Sequence, residues 1–430
     1  MIRKLIYLAI IASFIGTEVI AIDLGIFQLS LFRGLMIGIS IILIINFLIK
    51  NKGVIIFKKR ANSYSIKFML FWFSYSIFSL AWVADYVGWL KSVYFISLGL
   101  LSILIISKYF NKTTDILKAF QMISIVILLH NIIGWYEILS KNYIFLNVER
   151  ASYFARFGLP VSSFNNPNDF AMFLLFSIGI IYVCMNNCKS KIFSFFYGAL
   201  IASSLSLIIL TTSRANIVGL LLGTMFYIAL SFKKKKTRNS LITLLIFSIM
   251  LILVFPNYLS YLVSVISNNL HFNFSNGVGS DNIRVNLIKN GIFFLVSTLG
   301  FGTGAGNIEY WMLNRSIYDT QGIVNMHNWW MEILVGYGII VFIMYIIFFC
   351  KLLIHLIKKY KLSRNRIDYS VSLGMIFSMT GFIIGSTSSS SNLNSEWLWV
   401  FWAIVIAYQG IEINSLDYSY EKECQIKISN

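Results

Sequence analysis

Residues 328–350 read NWWMEILVGYGIIVFIMYIIFFC and contain a single charged side chain, Glu332. A transmembrane helix needs roughly 20 predominantly apolar residues, so this stretch predicts a membrane span. Other stretches of the same character predict spans at 5–22, 29–49, 66–83, 88–107, 116–138, 169–186, 192–210, 215–232, 240–256, 369–388 and 396–413. The sequence therefore predicts an all-α polytopic membrane protein, one integral membrane domain over 1–430 with about twelve transmembrane helices.

The composition excludes a water-soluble fold. Hydrophobic residues make up 58% of the 430 residues and charged residues only 12%, whereas soluble domains carry about 25% charged residues. The net charge of +18 comes from short basic clusters between apolar runs, such as residues 233–236. This placement is typical of cytoplasmic loops that face anionic lipid, and it argues against a nucleic-acid partner.

The distribution of Lys and Arg predicts the orientation. With the N-terminus inside, 25 of the 35 basic residues fall in cytoplasmic segments and 8 in extracytoplasmic ones, so both termini are predicted to be cytoplasmic. Arg33 and Lys118 fall within spans, where each can snorkel to the interface. The two long extracytoplasmic loops are 139–168 and 257–327. The second contains DNIRVNLIKNGIFFLVSTLG, apolar at helical spacing, which predicts a helix on the outer interface.

Basic residues on the outer side need a reason to be there, because the positive-inside rule disfavours them. Arg214 lies where two spans meet almost without a loop, in LIILTTSRANIVGLLLG, and its permanent charge needs an anionic partner, either lipid phosphate or a ligand. Arg284 lies on the predicted loop helix. The run GFGTGAGN that follows includes Gly304 and Gly306, and forms either a simple turn or a backbone cradle for a phosphate or sugar.

The stretch HNWWMEILVGYG begins at His327, at the outer end of the tenth predicted span. An imidazole there is either an interfacial side chain or a group that exchanges protons with a hydroxyl near neutral pH. Glu332 is costly in a span, so it predicts a role in orienting a partner or pairing with an arginine. Arg156 precedes FNNPNDFA, in which Asp169 suits the start of a helix. These residues lack metal-ligand spacing, so no metal or cofactor is predicted.

Four segments in this order resemble the O-antigen ligase and polymerase family of bacterial membrane enzymes. They are FNNPNDFA, TTSRANIVGL, IRVNLIKNGIFFLVSTLGFGTGAGN and HNWWMEILVGYGIIV. The first of them is similar to versions in Gram-positive capsule and teichuronic acid polymerases. The resemblance implies a metal-independent, inverting glycosyl transfer from a polyprenyl-diphosphate-linked glycan, at the outer face of the bacterial cytoplasmic (inner) membrane.

The resemblance also implies the site. In the family two arginines engage the donor diphosphate and a histidine assists the acceptor, which correspond here to Arg214 in TTSRAN, Arg284 in IRVN and His327 in HNWW. Arg156 stands where the family often has a further basic residue. The remaining residues predicted to bind substrate are Asn328, Glu332, Gly304 and Gly306.

The predicted function is a polysaccharide polymerase that uses a hydroxyl of another lipid-linked repeat unit as acceptor. Its partners would be the lipid-linked oligosaccharide, membrane lipid, and a flippase and chain-length regulator of the same pathway. One alternative is a ligase of the same family that transfers finished glycan to a lipid or protein acceptor. The other is a lipid or polysaccharide flippase or transporter, although the sequence has neither a two-fold hydropathy repeat nor an ionisable chain through its spans. The sequence leaves the sugars and the acceptor open.

Overall fold

The computed structural model describes residues 2–23, 25, 28–50, 61–231 and 280–412. Strands within these residues form one short antiparallel pair, β1 (Ala21–Asp23) and β2 (Gln28–Ser30). The α-helices of the same residues are α1 (Ile2–Ile15), α2 (Leu31–Lys50), α3 (Ser63–Phe78), α4 (Tyr86–Tyr109), α5 (Thr113–Ser140), α6 (Val148–Phe157), α7 (Pro167–Asn187), α8 (Lys191–Leu210), α9 (Arg214–Ser231), α10 (Ser280–Ser297), α11 (Ile308–Arg315), α12 (Trp329–Leu362), α13 (Arg366–Gly385) and α14 (Glu396–Gly410). The predicted all-α fold is confirmed.

Eight of the described helices are long and apolar enough to cross a membrane, namely α2, α4, α5, α7, α8, α9, α12 and α13. Helices α1, α3 and α14 coincide with the predicted spans 5–22, 66–83 and 396–413, but they have only 14, 16 and 15 residues. The predicted span 240–256 lies outside the described residues. The protein is therefore a polytopic membrane protein, and twelve as the number of spans stays a prediction.

Glycines allow α7, α9 and α13 to pack at backbone contact. A Cβ atom on Gly374 of α13 would lie 2.5 Å from the carbonyl oxygen of Gly179 in α7, and one on Gly219 of α9 would lie 2.6 Å from that of Gly381. Small residues drive such close packing in membranes, where burial of apolar surface gives helices little reason to associate. The three helices form a tightly packed unit, and its ends position the candidate site.

A second centre of packing is the Trp72 side chain, which joins α3 to α12 and α14. Its ring centroid lies 6.1 Å from that of Trp329, 5.8 Å from that of Tyr345 and 6.0 Å from that of Trp399. Aromatic pairs at these separations add to the energy of burial. The cluster anchors the start of α12, directly after His327.

Arg33 of α2 does not snorkel, so that sequence-based expectation is wrong. Its guanidinium Nε lies 2.6 Å from Glu396 Oε1 at the start of α14, and only about 5% of either side chain is exposed. Ser30 Oγ donates a 2.7 Å hydrogen bond to the same carboxylate. A permanent charge away from water is costly unless it is paired, and the sequence-distant Glu396 supplies the pairing.

Both predicted extracytoplasmic loops contain helices. The first, 139–168, includes α6, which the sequence analysis did not predict. In the second, 257–327, the described part holds α10 and α11, and α10 confirms that DNIRVNLIKNGIFFLVS is helical. Its place on the membrane interface stays a prediction.

Candidate functional site

Residues 386–395 join α13 to α14, and we name them the serine loop. Its Ser390 binds Asp169 near the start of α7: the backbone N–H donates to Oδ1 at 2.8 Å, and the hydroxyl donates to Oδ2. Ser388 Oγ lies 3.4 Å from Ser213 Oγ and from Asn216 Nδ2, in the TTSRAN segment at the start of α9. The serine loop thus links the segments FNNPNDFA and TTSRAN.

The same loop also holds the beginning of α12. The backbone of Ser389 hydrogen-bonds the His327 imidazole. Ser391 Oγ donates a 2.5 Å hydrogen bond to Glu332 Oε1, and the backbone of Asn392 bonds the same carboxylate. Three of the four segments that carry the family resemblance therefore meet on one loop, at one end of the helix bundle.

The start of α7 follows from local sequence. Asn166 is the N-cap and its Oδ1 accepts the Asp169 N–H at 2.9 Å, while Pro167 occupies the first turn. The Asn166 amide returns a 2.5 Å hydrogen bond to Asp169 Oδ2. Reciprocal caps of this kind satisfy N–H groups that a helix start leaves unpaired. The expectation that Asp169 suits a helix start is confirmed, whereas its bond to the serine loop was not foreseen.

His327 is held in a left-handed backbone conformation, with φ of 46°. Asn328 follows as the N-cap of α12, and its side-chain oxygen accepts from the N–H groups of Trp330 at 3.1 Å and Met331 at 3.3 Å. Non-glycine residues rarely adopt positive φ, and such strain concentrates at functional sites. Asn328 fixes the helix start next to the imidazole, and its predicted contact with substrate stays a prediction.

Arg284 of α10 is the charge that most affects His327. Burial lowers the pKa of the His327 imidazole from its ordinary value of 6.5, and the positive charge of Arg284 lowers it further, against the opposing effect of a hydrogen bond that the ring donates to the Ser389 backbone. Both effects disfavour the protonated ring. The imidazole is therefore neutral at neutral pH and able to accept a proton.

The glycine-rich turn packs against the connection between α3 and α4. A Cβ atom on Gly306, whose φ is 69°, would lie 2.0 Å from the carbonyl oxygen of Gly88, and one on Gly304 would lie 2.4 Å from Val83. Asn307 Oδ1 accepts the N–H groups of Ala84 and Asp85 at 2.9 and 2.7 Å. These contacts give the glycines a packing role, and their predicted binding of substrate stays a prediction.

The same turn contacts a break in α12. Gly338 has φ of 81° and interrupts the helical backbone. The Ile339 N–H donates to Gly300 O at 2.9 Å, and the Thr303 N–H donates to Val335 O at 2.8 Å. Main-chain hydrogen bonds on both sides of the break therefore fix the C-terminal end of α10 against the helix that follows His327. Arg284 lies near the other end of α10.

The other two predicted arginines lie at the same end of the bundle. Arg214 is exposed at the first position of α9, beside Ser213, which contacts the serine loop. Arg156 is exposed in the last turn of α6. That helix is joined to the segment preceding α7 by a 3.4 Å hydrogen bond from Arg150 Nη1 to Asn165 Oδ1.

Comparison with known proteins agrees with this arrangement. Residues 198–346 match the sequence profile of a family described as O-antigen ligase. After this likeness we name residues 198–346 the O-antigen ligase domain. It is also 28% identical over 408 residues to the teichuronic acid biosynthesis protein TuaE of Bacillus subtilis (strain 168), an alignment that covers 94% of this chain and 83% of that protein. The resemblance to the O-antigen ligase and polymerase family is confirmed.

The O-antigen ligase domain contains Arg214, Arg284 and His327, but not every residue that holds them in place. Asp169 precedes the domain and the serine loop follows it. The sequence showed this loop only as a run of serines, without a recognisable pattern of its own. The one available signal was the reciprocal cap motif at Asn166 and Asp169, which predicts a helix start but says nothing of a distant partner.

We expect the His327 imidazole to titrate below 6.5, and Arg284→Ala to raise its pKa, because that change removes a cation that disfavours the protonated ring. Histidine-labelled protein in detergent can be titrated by NMR, with the His327 signal identified by its loss in His327→Ala. Lys289→Ala, on the same helix, is the control and should leave the signal unchanged. An unaltered pKa in Arg284→Ala would contradict the coupling.

Proposed function

We propose that the protein is a polysaccharide polymerase of the bacterial cytoplasmic membrane. It transfers a polyprenyl-diphosphate-linked glycan to a hydroxyl of another lipid-linked repeat unit. The observation that carries the proposal is the meeting of the family segments on the serine loop, with the neutral imidazole of His327 beside Arg284. A proton acceptor next to permanent cations suits a reaction in which a hydroxyl attacks and a diphosphate leaves.

The orientation that we infer places the serine-loop end of the bundle outside. Basic residues border the opposite end, as Lys189 and Lys191 do between α7 and α8 and Arg366 does at the start of α13. Cytoplasmic segments carry such an excess of Lys and Arg. Both termini of the chain are then cytoplasmic.

In the proposed reaction the acceptor oxygen forms a bond to the anomeric carbon while the bond from that carbon to the diphosphate oxygen breaks. His327 accepts the proton of the acceptor hydroxyl. The diphosphate departs with the bonding electrons, and Arg214 and Arg284 neutralise its developing charge, since a guanidinium can bind two phosphate oxygens at once. A single displacement inverts the anomeric configuration. The protein supplies these groups without a metal ion.

The remaining predicted residues are proposed to bind the glycan or its diphosphate. Glu332, which the serine loop holds next to His327, would accept hydrogen bonds from sugar hydroxyls. Arg156, exposed on α6, would add positive charge at the edge of the site. Asn328 would contribute its backbone N–H and carbonyl groups, because its side chain caps α12. Gly304 and Gly306 have no side chain and would also act through their backbone groups.

The test is turnover by purified protein of a lipid-linked oligosaccharide, with and without a chelator. We expect a ladder of longer lipid-linked products, unchanged by the chelator. Activity that the chelator removes would contradict the metal-free mechanism. A control polymerase of known activity is assayed under the same conditions. If the control lengthens the glycan and this protein does not, the polymerase proposal is contradicted.

The family profile is described as O-antigen ligase, which favours a ligase as the second candidate. The acceptor separates the two: product on polyprenyl diphosphate indicates a polymerase, and product on a lipid core or protein indicates a ligase. In a deletion strain, single repeat units accumulating outside the cytoplasmic membrane would support the polymerase. Units trapped inside would instead indicate a flippase. A flippase and a chain-length regulator are the partners that the polymerase would need.

A further inference from the structure

Helices α7 and α13 begin with the same reciprocal cap, at opposite ends of the bundle. In α7 the Asp169 N–H donates to Asn166 Oδ1 at 2.9 Å, and the asparagine amide returns a 2.5 Å bond to the carboxylate. In α13 the corresponding distances between Asp368 and Asn365 are 2.7 and 2.6 Å. The chain therefore contains two copies of one local motif, and only one of them lies beside the candidate site.

The two carboxylates differ in what they hold beyond the cap. Asp368 accepts a hydrogen bond from the Thr113 hydroxyl at the start of α5, far from His327 along the bundle. Asp169 accepts two from Ser390, through the backbone N–H at 2.8 Å and through the hydroxyl. With the amide of Asn166 as a third donor, both Asp169 oxygens are occupied. The carboxylate thus faces protein rather than substrate.

Ser390 stands between two residues that hold the site. Ser389 hydrogen-bonds His327 through its backbone, and Ser391 donates to Glu332 through its hydroxyl. In the same loop, Asn392 Nδ2 donates a 2.8 Å hydrogen bond to Ser389 Oγ. A displacement of Ser390 pulls on both neighbours, because the planar peptide bonds leave only the φ and ψ rotations to absorb it.

We propose that Asp169 is a positioning residue for the glycosyl transfer: by holding Ser390 it fixes the serine loop, and the loop sets the orientation of His327 and Glu332. The proposal rests on the proposed function of the site. Asp169 contributes no group to the reacting atoms. It acts across 221 residues of sequence through two hydrogen bonds, and it lies outside the O-antigen ligase domain.

The first test is the kinetics of Asp169→Asn against Asp368→Asn. An asparagine at 169 places an amide NH2 group where a carboxylate oxygen accepted hydrogen bonds, so at least one of the groups that donate to Asp169 loses its acceptor. Since small misplacements of catalytic groups are costly, we expect kcat to fall about 10- to 100-fold in Asp169→Asn. KM for the lipid-linked substrate should change less than kcat, because Asp169 itself makes no contact with substrate and acts only on the orientation of His327 and Glu332. Asp368→Asn makes the same change in the other cap and should retain kcat.

A second pair of variants separates positioning from folding. Ser390→Ala removes the hydroxyl but leaves the backbone N–H, so kcat should fall less than in Asp169→Asn. The double variant Asp169→Asn, Ser390→Ala should be no slower than Asp169→Asn alone, because residues that act through one contact are not additive. Should Asp169→Asn fail to fold, Ser390→Ala takes its place in the comparison. Multiplied losses in the double variant would overturn the proposal.

The third measurement does not depend on activity. The NMR signal of the His327 ring should shift in Asp169→Asn and stay in place in Asp368→Asn. An unshifted signal together with wild-type kcat would overturn the positioning role. An unshifted signal together with equal losses of kcat in both aspartate variants would also overturn it, because Asp169 would then act only as a helix cap. If the signal shifts but the wild-type protein transfers no glycan, the proposed function fails while the link from Asp169 to His327 stands.

Discussion

Polymer formation should fall by about 100-fold or more when Arg284 is replaced by alanine, the loss typical of removing one group that stabilises charge in a transition state. Arg284 is the cation whose field reaches His327, and in the proposed mechanism it neutralises the departing diphosphate. Arg284→Lys keeps the charge but loses the planar fork that binds two oxygens, so it should recover only part of the rate. The rate of chain extension in vitro, at matched protein abundance, is the measurement.

Lys289→Ala is the matched control for this prediction. Lys289 lies on the same helix α10, and its ammonium group lies 5.2 Å from the centre of the Tyr318 ring. Loss of that charge should leave chain extension within a small factor of the wild-type rate. Normal polymer from Arg284→Ala would reject the assignment of Arg284. An equal loss in both variants would show that the effect depends on the total positive charge of α10 and not on the position of Arg284, which the proposed mechanism does not allow.

Glu396→Gln should lower the free energy of unfolding by about 3–5 kcal/mol, the usual cost of removing one partner of a buried ion pair. The substitution keeps the shape of the side chain and an acceptor for Ser30, but leaves the buried guanidinium of Arg33 without a counter-charge. Unfolding in detergent, followed by circular dichroism against denaturant, is the measurement. Reduced abundance in membranes should accompany the loss.

Two further variants test this interpretation. Arg33→Leu combined with Glu396→Leu should regain most of the lost stability, because exchange of both charges for apolar groups removes the uncompensated charge. Glu149→Gln changes an exposed carboxylate of α6 and should alter the unfolding free energy by no more than about 0.5 kcal/mol. A double variant as unstable as Glu396→Gln would show that packing, and not charge, explains the effect.

Hydropathy was enough to predict most of the architecture. In a bilayer the backbone must satisfy its own hydrogen bonds, so long apolar stretches form helices almost whatever their detailed sequence. Each predicted span in the described residues overlaps a helix, although the end of span 5–22 forms strand β1, and α10 was predicted from its apolar spacing. The prediction was least accurate for α1, α3 and α14, which are shorter than a simple span requires.

Tertiary partners were not predictable, because side-chain hydrogen bonds between distant residues leave no periodic trace in a sequence. Asp169 and Ser390 are 221 residues apart, and the serine run has no pattern that indicates its contacts with α7, α9 and α12. Helix α6 was missed because it has only ten residues and, with Glu149, Arg150 and Arg156 among them, is too short and too polar for a span. The glycine-rich run was interpreted as either a simple turn or a backbone cradle for substrate, but the sequence could not show that its neighbours include backbone atoms of α4 and α12.

The buried pair between Arg33 and Glu396 also bears on how the protein is made. Glu396 lies 366 positions after Ser30, which also bonds it. Ribosomes add about 5–20 residues per second, so they deliver Glu396 tens of seconds after α2 has emerged. During that interval the guanidinium has no carboxylate to bind and must remain solvated at the membrane surface. Nascent chains that terminate before residue 396 would keep α2 in that state, which makes them candidates for recognition by membrane quality-control proteases.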